Sequence, residues 1–375
     1  MKKTIIISAF LTVFGFVPQA IAQSSILATL HHDGGIKTFY GTNALVEANK
    51  VADDGDVITL SSGTFLAPAD AITKAVTLRG AGMEFDTLNN VEPTLIDGSL
   101  LLDIPESATN KFILEAVDLS DSVRYCGTLK NPQFIKCRMG YITYGKAGNN
   151  RIIDAQILHC IISEELYLCS NSSATLVNCY IRDPYSHDDK TSNFEFQNCV
   201  LYMANPGEMQ SSIIRNSIIV HVRGGMDTDN GKTEYYALAP TTIAYNCVGV
   251  WTREWSYRDS PVSCLFVFQT NTTNIEMPRG PICTSIFKDW DFYYVDVVSN
   301  SLGRALENFK ETRLELAESF KTKYLGSDGT ELGIYGGNLP FDAISTNPRI
   351  TKCEVDGKTT SDGKLSVKVE VNGQK

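Results

Sequence analysis

Between Phe134 and Val250 the chain repeats one short pattern: a polar residue, a small thiol or hydroxyl, a variable residue, then an aliphatic. The copies are Lys136-Cys137-Arg138-Met139, His159-Cys160-Ile161-Ile162, Asn178-Cys179-Tyr180-Ile181, Asn198-Cys199-Val200-Leu201, Asn216-Ser217-Ile218-Ile219 and Asn246-Cys247-Val248-Gly249. Their second positions are separated by steps of 23, 19, 20, 18 and 30 residues. A period near twenty built on short strands predicts a solenoid. Apolar or small residues at the second and fourth positions predict strand alternation with one face inward. A small thiol followed by an aliphatic suits a narrow interior where like residues stack from rung to rung. Asn opens four of the six copies, as expected of a turn residue that tolerates unusual backbone angles. Its amide is also suited to bonding between rungs about 4.8 Å apart.

The flanks extend the scheme. Asn43 to Ala52 carries Ala44, Leu45, Ala48, Val51 and Ala52 at helical spacing, which predicts a short helix plugging the open first coil. It follows a lead from Gln23 to Tyr40 with no assigned element. Val57–Leu60 between glycine turns, Ala75–Gly80, Thr94–Gly98 and Phe112–Leu119 read as earlier coils. Leu265–Phe268 and Ile282–Phe287 read as later strands, whereas Ala305 to Tyr324 fits either a helix or an irregular coil. Gly326–Thr330 and Gly333–Gly337 form a glycine-rich closure. Ile350–Val355 and Leu365–Val371 flank a polar turn and predict a terminal hairpin, packed on the last coils.

With the repeat in view, the chain resembles the right-handed parallel β-helix proteins of the pectin-lyase-like group. Val57–Leu60 with Ser62–Phe65 is similar to their opening coil, and the glycine-rich closure to the end of exported β-helix proteins of the Bacteroidetes type. The resemblance implies an all-β, right-handed, single-stranded parallel β-helix with a short N-terminal capping helix and a C-terminal β-hairpin. The expected organisation is an export signal over residues 1–22, the β-helix over 23–340 and the hairpin tail over 341–375. One fold of this kind hosts many activities, so the resemblance fixes architecture and leaves function to the site.

The amino terminus reads as an export signal: Lys2 and Lys3, an apolar run from Ile5 to Val17, and Ala20-Ile21-Ala22 as a cleavage site. No stretch is long and apolar enough to predict a membrane span. A periplasmic, cell-surface or extracellular monomer is the expectation. Removing Lys2 and Lys3 from 33 basic residues leaves 31 against 43 acidic ones, a balance of −12. That argues against nucleic acid, which demands a basic surface. It also makes a polyanionic substrate awkward without a local cluster or bound cation. Five of the ten cysteines fall on the inward repeat position, so a ladder of buried thiols and a disulfide framework compete, and no C-x-x-C pair points to metal.

Three longer polar connections leave the coil just after the repeated strand: Arg182 to Asn193, His221 to Thr241 and Trp251 to Ser263. Long loops on one side of a rigid scaffold are where binding and catalysis sit. The first gathers Arg182, Tyr185, His187, Asp188, Asp189 and Lys190, the groups needed to remove a proton beside a uronate carboxylate. There Lys190 or His187 would be the base, with Arg223 of the second loop a further catalytic candidate. Asp188 and Asp189 would hold calcium, the one cofactor this chemistry points to. The third loop holds Trp251, Arg253, Trp255, Tyr257 and Arg258, aromatics beside Arg that suit a sugar's C–H face and hydroxyls. Against each stands the plainer reading of a solvated loop or of rings packed on neighbouring coils.

Polygalacturonase-type hydrolases on this fold carry an Asn-x-Asp, an Asp pair, a Gly-His-Gly and an Arg-x-Lys; of these the chain has an Asp pair. The Arg-x-Pro-x-x-Arg of pectate lyases is absent. Three functions stay open: a carbohydrate-binding protein facing a polysaccharide or cell-surface glycan, a polysaccharide lyase (favoured over a hydrolase) acting on uronate, and a surface scaffold without turnover.

Overall fold

The computed structural model describes residues 26–87, 90–146, 148–186, 192–203, 211–223, 242–253, 262–268, 316, 318–322, 325–345, 349–355 and 367–372. The chain winds as a parallel β-solenoid. One long sheet stacks, in parallel, the strands Val57–Leu60, Thr77–Arg79, Ile113–Glu115, Gln133–Ile135, Ala155–Leu158, Ser173–Val177, Asn193–Gln197, Ile213–Arg215 and Ile243–Tyr245. The second takes the strands that follow each repeated phrase, among them Arg138–Tyr144, Ile161–Leu168, Tyr180–Arg182, Val200–Met203, Ile218–Arg223 and Cys247–Arg253. A short third ladder pairs Thr128–Lys130 with Arg151–Ile153.

Each phrase is the corner between the two long sheets. Its first residue ends the first sheet in the left-handed region, with φ between 48° and 53° at Lys136, His159, Asn178, Asn198, Asn216 and Asn246. That conformation costs an ordinary L-residue roughly 1–2 kcal/mol, which is why Asn dominates the position. The second and fourth residues point inward and are fully buried in copy after copy, as Cys137 with Met139 or Cys160 with Ile162.

The thiols form a hydrogen-bonded ladder. Cys137 N donates to Cys160 Sγ at 3.4 Å, and Cys160 N to Cys179 Sγ at 3.3 Å. Ser217 takes the same place, accepting from Cys199 N at 3.0 Å. Cys126, Cys137, Cys160, Cys169, Cys179, Cys199 and Cys247 are free thiols, and the ladder reading holds for Cys137, Cys160, Cys179, Cys199 and Cys247 on the repeat position. Burial drives the thiols of Cys137, Cys160 and Cys179 well above their ordinary range and leaves them unreactive.

Both open ends depart from simple winding. The lead segment forms an antiparallel hairpin, Leu27–His32 with Gly35–Tyr40, whose first strand runs antiparallel to Val57–Leu60. The helix Ala44–Val51 then buries Ala44, Leu45 and Ala48. At the other end of the described stack the expected strand Leu265–Phe268 is observed as part of Val262–Phe268, which turns back antiparallel along Cys247–Arg253. Antiparallel pairing at the end of a parallel stack satisfies the edge without starting a further rung. Within the ambiguous segment, Glu318–Lys321 is helical. The strands Arg349–Val355 and Val367–Asn372 form the expected hairpin.

The glycine-rich segment is more than a closure. From Leu325 to Ser345 it lies as a strap along the row of phrase corners, running opposite to the winding. Ser327 N donates to Asn216 Oδ1 at 2.9 Å, and Asn178 Nδ2 donates to the carbonyls of Ile334 and Gly336. Phe341 lies against His159 with ring centroids 6.3 Å apart, and Lys136 Nζ reaches Asp342 at 3.1 Å and Ile344 O at 2.7 Å. The Asn amides thus serve the strap, where bonds between rungs were expected. Of the third phrase residues, expected to be variable, Ile161, Tyr180, Val200 and Ile218 are buried and Arg138 is partly so. Gly333 of the strap packs on Ile218 and Val200.

Candidate functional site

On the outer side of the second sheet, at the ends of successive strands, three tyrosines meet, two of them stacked. Tyr167 and Tyr185 stand in register on paired strands Ile161–Leu168 and Pro184–Ser186. Their rings lie 5.0 Å apart and 23° from parallel. Tyr144, closing the strand Arg138–Tyr144, sets its ring 5.3 Å from Tyr167 at 54°. Rung spacing of about 4.8 Å brings outward rings on neighbouring rungs into this contact unaided. Tyr167 and Tyr185 cover each other's faces, whereas Tyr144 is tilted away and is 44% exposed.

The turns that follow Tyr144 and Tyr167 line a cleft of about 530 Å³ with Asn149, Asn150, Arg151, Ser170 and Asn171, joined by Thr128, Gly148 and Cys169. That size falls within the range of small-ligand sites. Local bonds hold its wall. Asn150 Oδ1 accepts from Gly127 N at 2.8 Å, while its amide donates to Lys146 O. Arg151 Nε donates to Thr128 Oγ1 at 2.8 Å. Underneath, the buried Tyr125 hydroxyl donates to Tyr167 O at 3.3 Å and accepts from Cys169 N at 3.2 Å, joining the ring stack to the cleft.

The Tyr167 phenol stays neutral across the physiological range. Desolvation, then neighbouring Cys169, Tyr144, Tyr185 and Glu165, pushes Tyr167 up to about 12. Arg182, expected to meet a substrate, is held by Glu164 at 3.1 Å and Asp183 at 3.6 Å. A second Arg, Arg138, sits between Glu84 and Asp118, whose carboxyls burial raises above their usual range.

Of the residues named from sequence, Tyr185 joins the ring stack and Arg182 stands three residues before it. Strand register sets Arg223 opposite Arg253 and His221 opposite Trp251. His187, Asp188, Asp189, Lys190, Trp255, Tyr257 and Arg258 lie outside the described residues. The strands preceding all three long loops belong to the second sheet and run parallel, so the loops leave one edge, the edge that carries the tyrosines. Sequence reasoning missed Tyr144 and Tyr167. The signal was there: each follows its phrase cysteine, Cys137 or Cys160, by seven residues, and Tyr185 follows Cys179 by six.

Among the described residues no three His, Cys, Asp or Glu side chains converge as a metal site. No helix among them is long and apolar enough to cross a membrane. No family model, curated protein or solved structure matches the chain.

Proposed function

We propose that the protein is an exported, pectin-lyase-like solenoid that binds carbohydrate at the tyrosine corner, at or beyond the cell envelope, without turning it over. The observation that carries this reading is the partly exposed Tyr144 ring at a strand end whose following turn lines a cleft of amides and hydroxyls. An aromatic face takes the C–H surface of a pyranose, while Asn, Ser and Thr groups satisfy its hydroxyls. The stack behind Tyr144 fixes the ring in place, which lowers the entropy lost on binding. Trp251 and Arg253, from the same edge, would extend the contact along the solenoid.

Affinity electrophoresis of the mature chain through polysaccharide-loaded gels tests it. Retardation should appear on at least one polymer and fall about tenfold in apparent affinity, the equivalent of about 1.4 kcal/mol, in Tyr144→Ala. Equal migration of both proteins in every gel would end the reading. Ultraviolet absorbance from unsaturated products, appearing with calcium and lost in Lys190→Ala, would replace it with the lyase.

A further inference from the structure

We infer that the tyrosine corner takes an uncharged glycan, built of hexose or N-acetylhexosamine units, and discriminates against uronate polymers. This rests on the glycan-binding reading and adds the chemical class of its ligand. A polyanion is recognised by cations whose charge is not already met. Among the described residues the arginines around this corner are met. Arg182 is held by Glu164 and Asp183. Arg151, in the cleft wall, lies 3.6 Å from Glu106, which also holds Lys130 at 3.0 Å. Arg124 pairs with Asp121 at 3.8 Å. Lys146 is exposed and lies outside these ion pairs.

Carboxylates then set the sign of the surroundings. Glu165 is in register with Tyr141 and acts on the Tyr167 phenol, whereas Glu164 is taken up by Arg182. A uronate chain laid along the rings would bring its own carboxylates against Glu165, a repulsion that acts as a rejection device. The cleft offers the opposite of a charge trap. Thr128, Asn149, Ser170 and Asn171 present hydroxyl and amide groups, which both donate and accept. Hydroxyl and acetamido substituents have the same dual character. Neutral sugars fit both halves of the site, the ring face and the amide wall.

The experiment uses the mature chain with a soluble β-glucan, a mannan and an N-acetylglucosamine oligomer as neutral probes, against polygalacturonate and alginate, at low and at high salt. The expected result is binding to at least one neutral probe with little salt dependence, and at least tenfold weaker binding to both polyuronates. Tyr144→Ala should lose about tenfold on the neutral probe while Tyr144→Phe retains it, which separates loss of the ring from loss of fold. Tight polyuronate binding that Tyr144→Ala weakens would overturn the choice of ligand class and leave the glycan-binding corner standing. No binding by any probe would overturn both.

Discussion

Asn178 and Ile334, more than 150 residues apart in the chain, meet in a buried hydrogen bond of 2.8 Å, and the same amide nitrogen donates to Gly336 O at 2.7 Å. One corner side chain therefore satisfies two carbonyls of the strap while its own backbone holds φ near 51°. Asn178→Ala removes both donors and puts an ordinary residue in the left-handed region. A buried unsatisfied acceptor costs about 1–3 kcal/mol. The expected loss is about 2–4 kcal/mol, read from urea midpoints at constant m. Asn178→Gly keeps the backbone freedom and loses only the amide, so it should fall between the two; a variant as stable as the parent would show that the strap does not depend on this bond.

The strap also depends on glycine where it touches the corners. Gly333 has φ +82°, and a Cβ there would lie 2.7 Å from Ile218 Cδ1. At Gly337, also at φ +82°, a Cβ would meet the Asn198 amide. Gly333→Ala should lift the strap from Ile218 and Val200, exposing an apolar row that the solenoid otherwise hides. The readouts are dye binding to exposed apolar surface and faster limited proteolysis between Leu325 and Ser345. Unchanged cleavage would mean the neighbouring side chains absorb the methyl.

Lys136 and His159 are the two corners that are not Asn, and the strap supplies each with its own partner. His159 is buried against Phe341, and desolvation, then the nearby Lys136 charge, holds its imidazole below the ordinary range despite the opposing pull of Asp342. The folded state therefore binds fewer protons here than the unfolded chain. Its stability contribution is intact above the unfolded pKa of about 6.5 and declines as pH falls below that value. Raised carboxyls at Glu84 and Asp118 act in the opposite sense at acidic pH, so the comparison has to be with His159→Asn, which suits the corner and does not titrate. Between neutral and mildly acidic pH the parent should lose more stability than His159→Asn; parallel curves would show that His159 is not the group responsible.

The thiol ladder makes a chemical prediction. Ser217 already occupies one rung and donates to Arg215 O at 2.7 Å as it accepts from Cys199 N, so a hydroxyl is compatible with this position. Cys160→Ser should change stability by no more than about 1 kcal/mol, in line with near-isosteric replacement. Cys160→Val adds bulk to a fully buried narrow corner and deletes an acceptor, and should cost about 1–3 kcal/mol. In the native protein Cys137, Cys160 and Cys179 should resist a thiol reagent until denaturant is added. Rapid native labelling of any of the three would contradict their burial.

The winding was legible because the phrase repeats at one place in each coil, and a corner demands the same residue types every time. Cys137, Cys160, Cys179 and Cys199 carried that signal, and Asn carried the left-handed turn. What was hidden is whatever depends on distant sequence. Residues 325–345 bury Leu332, Ile334 and Phe341 at no regular spacing and bind as much through their own carbonyls, so periodicity does not mark them as a strap. The apolar third positions Ile161, Tyr180, Val200 and Ile218 were a trace of it, since a row facing water would be polar. The ring stack was hidden for another reason. Trp251 and Trp255 drew the reading to the loops, whereas Tyr144 and Tyr167 sit at strand ends, where an aromatic looks like ordinary sheet packing until its exposure is known.

Tyr125 provides the last test, because it supports the corner without facing it. Its ring is fully buried, and its hydroxyl bridges Tyr167 O and Cys169 N, one residue in the ring stack's strand and one in the cleft wall. Burial raises this phenol far above its ordinary range, so it remains a neutral donor at every working pH. Tyr125→Phe keeps the ring and its packing and removes only the bridge, with Cys169 N left unpaired. The expected stability loss is about 1–2 kcal/mol. If the bridge positions the cleft against the rings, affinity for the neutral glycan should drop severalfold while Cys169 becomes more reactive to a thiol reagent. A stability loss with both affinity and Cys169 reactivity unchanged would make Tyr125 a core residue alone, and the coupling between stack and cleft would have to lie elsewhere.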